Sequence, residues 1–188
     1  MAYLHGKSII HFDLKSGNVL LSTRDKRPVC KVADLGLCKR RRDTYASGVT
    51  AQRGTLPYTA PEVLRTPGQV TEKADVYSFG VLLWELWTGK EPYEGQNYHA
   101  LLHQLSQPNT RLRPPLPQTP EWEDRGGGPR ELAPGWAALV ESCWAEDPDQ
   151  RPGFPEIVKT LRDQALSLKH SARSRAKALP AAAAPPRS

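Results

Sequence analysis

The sequence has few cysteines. Cys30, Cys38 and Cys143 are an odd number with no CxxC spacing, which argues against a disulfide framework and against a zinc site. They read as small buried hydrophobes in a reducing compartment. Long apolar runs are missing as well. The longest, Val81 to Trp87, is interrupted by Glu85 and falls far short of a membrane span. The opening residues Met1-Ala2-Tyr3-Leu4-His5 hold no basic segment followed by an apolar one, so no secretory signal is expected. These absences set the expectation of a cytoplasmic protein. No internal repeat is visible.

What is present fits a folded chain. Of 188 residues, 38% are hydrophobic and 24% charged, a balance that favours a packed core over disorder. The 18 prolines and 14 glycines imply many loops and few long strands. The net charge of +6 is unevenly placed. Residues 169–188 carry five basic residues and no acid, and residues 37–55 carry five more against Asp43 alone, which leaves the remainder at −3. The body is thus mildly acidic. The basic residues form no folded stripe with interleaved aromatics, which sets aside a nucleic-acid partner. The Ala-, Ser- and Pro-rich end from residue 169 reads as a solvated, disordered basic tail. Nuclear targeting and binding to an anionic surface are the alternative readings for it.

Val19-Leu20-Leu21 and Val29-Cys30-Lys31-Val32 read as two short strands around a polar turn, hence a small hairpin. From Gly36 to Pro61 the chain is polar, glycine-dotted and without periodicity, the pattern of a long functional loop. Four helical stripes follow. They are Val76/Phe79/Gly80/Leu83/Leu86/Trp87, ended by Gly89, then Tyr98/Leu101/Leu102/Leu105, Trp136/Leu139/Val140/Cys143/Trp144, and Phe154/Ile157/Val158/Leu161/Ala165. Between the second and third lies a loop rich in proline, with Gly126-Gly127-Gly128 inside it. The first stripe is apolar around much of its helix, which places that helix centrally. The expected class is α+β: a small β-hairpin at the edge of a helical body.

The chemistry-bearing residues flank the hairpin. His11-Phe12-Asp13-Leu14-Lys15-Ser16-Gly17-Asn18 precedes its first strand, and Asp34-Leu35-Gly36 follows its second. A hairpin brings these two ends together, so Asp13, Lys15, Asn18 and Asp34 should converge. Two carboxylates, an ammonium and an amide suit phosphoryl transfer. One acid orients and deprotonates a hydroxyl, a carboxylate and an amide oxygen hold Mg²⁺, and a cation neutralises charge on the phosphoryl oxygens.

In these motifs the sequence resembles a protein kinase. His11-Phe12-Asp13-Leu14-Lys15-x-x-Asn18 is similar to the catalytic loop, and Asp34-Leu35-Gly36 to the metal-binding triplet. Ala60-Pro61-Glu62 resembles the end of the activation segment, Asp75-Val76-Tyr77-Ser78-Phe79-Gly80 the start of the central helix, and Cys143-Trp144-x-x-Asp147-Pro148-x-x-Arg151-Pro152 the late arginine motif. The resemblance implies ATP and Mg²⁺ as cofactors and a protein as substrate. It makes Asp13 the catalytic base, Lys15 a contact to the transferred phosphate, and Asn18 and Asp34 the metal ligands. Thr55 would face the substrate hydroxyl. Glu62 and Arg151 would form a buried ion pair, Asp75 would brace the catalytic loop, and His11 and Leu35 would sit in an apolar stack beneath the site. Lys15 with Thr55 implies serine/threonine specificity. The phrases around His5–His11 and Asp75–Leu86 resemble the tyrosine-kinase-like group, including Raf-like kinases.

Two departures matter. Phe12 stands where such kinases usually have an Arg that pairs with a phosphorylated residue. Thr44, Ser47 and Thr50 are candidate phosphosites, with Lys39-Arg40-Arg41-Arg42 as alternative partners, and a solvated basic loop without a switch is the competing reading. Second, only ten residues precede His11, and no glycine-rich loop, strand lysine or helix glutamate fits there. The expectation is therefore a kinase C-lobe over residues 1–168 with the N-lobe absent, a basic tail over 169–188, and little activity in isolation. The competing function is a non-catalytic, pseudokinase-like binding module. The Pro-rich loop is a candidate SH3-type ligand.

Overall fold

The computed structural model describes residues 1–22, 29–41, 45–46, 54–108, 110–117, 119–124 and 133–178. The candidate phosphosites Thr44, Ser47 and Thr50, and Arg42, lie outside them.

A short helix α1 (Ala2–Gly6) leads into strand β1 (Ile9–Ile10), and strands β2 (Val19–Leu21) and β3 (Cys30–Val32) follow. β2 and β3 pair antiparallel with Val19 opposite Val32 and Leu21 opposite Cys30, the expected hairpin. Strand β4 (Lys39–Arg40) lies inside the stretch that reads as a long functional loop. It pairs antiparallel with β1, Ile9 opposite Arg40 and Ile10 opposite Lys39. Strand pairing uses backbone groups, so two basic side chains do not prevent it, and no alternation announces so short a strand.

The helical body comprises α2 (Pro61–Arg65), α3 (Lys73–Thr88), α4 (Tyr98–Ser106), α5 (Pro120–Asp124), α6 (Trp136–Cys143) and α7 (Phe154–Ala178). α3 is central. Val76, Tyr77 and Val81 are fully buried, and Gly89, with φ 66°, closes the helix by donating to Glu85 O. α4 starts at Asn97, whose side chain accepts from the backbone N–H of His99 and Ala100 at 2.9 and 3.2 Å. α6 crosses α3 at Gly80, where a β-carbon would stand 2.9 Å from Cys143 Cβ.

Apolar contacts join these elements in three clusters. The largest links Ile10, Phe12 and Ala46 through Tyr77, Val81 and Trp84 to Trp122, Trp136 and Trp144. A second gathers Leu14, Val76, Leu82, Cys143, Phe154 and Ile157, with Met1 packed against it. The third joins Leu56 and Tyr93 to α4 through Leu101 and Leu105.

Further sequence expectations change, among them the burial of all three cysteines: Cys30 is exposed. Leu86, placed in the apolar stripe of α3, is 68% exposed, on the rim of a groove shared with Leu83, Trp87, Trp136 and Leu161. α7 continues past residue 168 to Ala178, because Ala-, Lys- and Arg-rich sequence is a good helix former even without an apolar stripe. In the Pro-rich loop, Pro114 and Pro117 are buried and Pro115 O accepts from Trp84 Nε1 at 2.8 Å. That segment packs on the body.

Candidate active site

The loop between β1 and β2 holds Asp13, and the first turn of α3 shapes that loop. Asp75, fully buried, accepts from the backbone N–H of His11 (Oδ2, 2.8 Å) and of Phe12 (Oδ1, 2.9 Å). This grip holds Phe12 at φ 67°, a conformation uncommon for residues with a side chain. Gly54, at φ 90°, fits against that bend; a β-carbon there would meet Phe12 O at 2.5 Å. The His11 ring accepts from Asp13 N–H at Nδ1 (3.2 Å), so its Nε2 carries the hydrogen toward Ala33 O (3.1 Å). His11 thus ties the Asp13 loop to the end of β3 and does not face the site.

Asp13 sits at the centre of a hydrogen-bonded cluster. Thr55 Oγ1 donates to Asp13 Oδ1 at 2.8 Å, and Lys15 Nζ donates to Thr55 Oγ1 at 2.7 Å. Lys15 Nζ lies 3.0 Å from Asp13 Oδ2. Asn18 Nδ2 donates to Asp13 O at 2.7 Å and to Asp13 Oδ2 at 2.9 Å. Burial opposes ionisation of Asp13, but the bonds from Thr55, Lys15 and Asn18 and the Lys15 charge outweigh it. They hold the carboxyl below the ordinary aspartate value. An ionised carboxylate beside an ammonium, already accepting from an alcohol, can orient a hydroxyl and take its proton.

Asp34 comes near the cluster through the backbone only. Ala33 N–H donates to Asn18 O at 2.8 Å, which seats the 34–36 turn beside Asn18. Asp34 itself is exposed, at φ 62°, and its Oδ1 accepts from Gly36 N–H at 3.1 Å. Leu35 is 58% exposed, so the expected stack of His11 and Leu35 does not form. Its side chain projects from a turn that no described element covers. For Mg²⁺ the donor set fits. Asn18 spends its amide hydrogens on Asp13 and presents Oδ1, while Asp34 presents carboxylate oxygens, and hard oxygen donors suit that ion.

Behind the site, Glu62 and Arg151 meet as a bidentate pair at 2.6 and 2.9 Å. Arg151 is 1% exposed. Its remaining hydrogens go to Ala145 O (2.8 Å), Lys73 O (2.9 Å) and Glu146 O (3.3 Å), and its guanidinium lies 5.2 Å from the Tyr77 ring centre. The pair fastens α2 to the turn before α7.

Sequence reasoning did not assign roles to two contributors. His5 Nε2 lies 2.8 Å from Asp75 Oδ2, joining α1 to the residue that shapes the loop. Glu85, the acid inside the apolar α3 run, accepts from Ser16 Oγ at 2.8 Å and Tyr58 Oη at 2.7 Å. It couples the turn before Asn18 to the turn after Thr55. A lone acid in an apolar stripe was the available signal.

A family model described as protein kinase domain matches residues 1–161. The chain is 38% identical over 163 residues to serine/threonine-protein kinase STY46 of Arabidopsis thaliana, an alignment covering 87% of this chain and 25% of that protein. It is 39% identical over 164 residues to serine/threonine-protein kinase CTR1 of Arabidopsis thaliana, covering 86% and 18%. It is 37% identical over 176 residues to a mitogen-activated protein kinase kinase kinase of Drosophila melanogaster, covering 89% and 14%. The chain spans a quarter or less of the length of these relatives. With the Asp13 cluster and a domain match across most of its residues, the chain belongs to the protein kinase family.

Proposed function

We propose that residues 1–168 form the C-terminal, substrate-bearing lobe of a serine/threonine protein kinase of the tyrosine-kinase-like, Raf-like group. The observation that carries this reading is the Asp13–Lys15–Thr55 triangle, with Asn18 holding the same carboxylate. Asp13 takes the proton of a serine or threonine hydroxyl. Lys15 neutralises charge on the transferred phosphoryl oxygens. Thr55 positions both and lies where the acceptor hydroxyl arrives. Asn18 and Asp34 would hold Mg²⁺, which supplies charge neutralisation at the phosphates of ATP. Glu62–Arg151 and Asp75 are structural. The serine/threonine preference rests on Lys15 and Thr55, and on the similarity to serine/threonine-protein kinases.

The catalytic region ends within α7, and the basic residues beyond 168 are an appendage to it. SH3-type docking on the Pro-rich loop would require buried Pro114 and Pro117 to leave their places, so packing is their role. Location in the cytoplasm remains part of the proposal.

Residues 1–188 carry one wall of a nucleotide site. Phosphotransfer in this family also uses a glycine-rich loop and a strand lysine over the nucleotide. The second reading, a non-catalytic binding module, draws on one observation: Asp34 Oδ1 accepts from Gly36 N–H within its own turn. Calorimetry with Mg-ATP separates the two. In the longest natural chain containing these residues, binding that weakens strongly on Asp34→Asn supports the kinase reading. Absence of Mg-ATP binding there supports the binding module.

A further inference from the structure

The cavity between the end of α3 and α5 lies outside the cluster around Asp13. Its volume is about 330 Å³, and Trp84, Lys90, Glu91, Tyr93, Glu94, Pro115 and Trp122 line it. Trp84 and Trp122 meet edge to face, centroids 6.2 Å apart at 84°. Trp84, Tyr93 and Trp122 are buried, and Trp84 Nε1 is committed to Pro115 O at 2.8 Å. The walls are thus fixed aromatic surfaces. Glu91 and Glu94 are exposed at the rim. Aromatic faces attract cations, and two rim carboxylates add to that attraction. The chain demonstrates the preference itself: Lys90 Nζ lies 4.7 Å from the Trp122 ring centre.

The cavity adjoins a second cleft. Lys90 and Glu91 also line the adjoining cleft, together with Ser16, Tyr58 and Glu85. Ser16 neighbours Lys15, which bonds Thr55. Lys90 and Glu91 thus connect the aromatic cavity to a cleft that reaches Ser16, one residue from Lys15.

We infer that this cavity binds an arginine or lysine side chain of the protein substrate, so that the substrate class is a basic segment flanking the acceptor hydroxyl. This rests on the kinase reading for its substrate, but not for the binding itself. The guest cation takes the place of Lys90 on Trp122, and Glu91 and Glu94 face its charge.

The test is an NMR titration of the full 188-residue chain, following the indole N–H signals of Trp84 and Trp122. The probes are nine-residue peptides with a central serine and one arginine walked through the other positions. Each has a twin with citrulline, which keeps the shape and loses the charge. At least one arginine peptide is expected to shift both indole signals and to bind about fivefold or more tightly than its citrulline twin. Glu91→Gln and Glu94→Gln, both at the exposed rim, should weaken that binding, and Lys90→Ala should tighten it by removing the competing cation. No indole shift with any arginine peptide overturns the proposal, as does equal binding of the twins or weaker binding by Lys90→Ala. Charge-dependent binding without phosphate transfer by the longest natural chain would leave the cavity assigned and remove the kinase reading instead.

Discussion

At Asp13, burial and hydrogen bonding pull the carboxyl in opposite directions, and hydrogen bonding wins. Because the folded value lies below the unfolded one, the stabilisation is present above the ordinary aspartate range, near pH 4. It is lost as pH falls through the depressed native value. Thr55→Ala removes the donor to Oδ1 and should raise the midpoint of Asp13, read from its carboxyl carbon by NMR. An unmoved midpoint would show that Thr55 does not hold the carboxylate. Arg151 is the second decisive residue. Its charge is buried against Glu62, and removing one partner leaves the other uncompensated. Arg151→Met should cost about 3–5 kcal/mol in urea unfolding, with Glu62→Gln similar. Asp13, Lys15 and Asn18 were legible because they are sequence neighbours within one loop. The sequence also paired Glu62 with Arg151 across 89 positions, but only through the resemblance. The resemblance placed Leu35 in an apolar stack, whereas here it is 58% exposed.

Among the elements, the α3–α6 crossing bears most directly on the site, since Asp75 begins α3 and Glu85 lies near its end. The crossing depends on close approach at Gly80, where a β-carbon would also stand 3.3 Å from Trp144 N. Alanine is the better helix former by about 1 kcal/mol, yet overpacking costs about 1–3 kcal/mol. Gly80→Ala should therefore lower the melting temperature, or at best leave it unchanged, and a clear rise in calorimetry would contradict the close approach. The long helices were legible because their stripes repeat over several turns. Strand β4 was not, since two residues carry no period and Lys39–Arg40 look like solvated loop. The bend at Phe12 was equally hidden. It is set by Asp75, more than sixty positions away, and accommodated by Gly54.

For the molecule as a whole, the charge pattern and the site point the same way. A mildly acidic body carries an acid-rimmed cavity and an adjoining cleft that reaches Ser16, while the surplus of basic residues lies in residues 37–55 and 169–188. The fold class was legible from the hairpin and four stripes. The reach of α7 to Ala178 was not, because its last turns have no apolar face to announce them. The account's central claim is that Asp13 takes the proton of a serine or threonine hydroxyl during phosphoryl transfer. The direct measurement is labelled phosphate transfer from Mg-ATP to a serine/threonine protein substrate by the longest natural chain containing residues 1–188. Native and Asp13→Asn forms are compared after circular dichroism shows both folded. The account predicts a fall of about 10²–10⁴ in rate for Asp13→Asn. Equal rates in the two forms would contradict it.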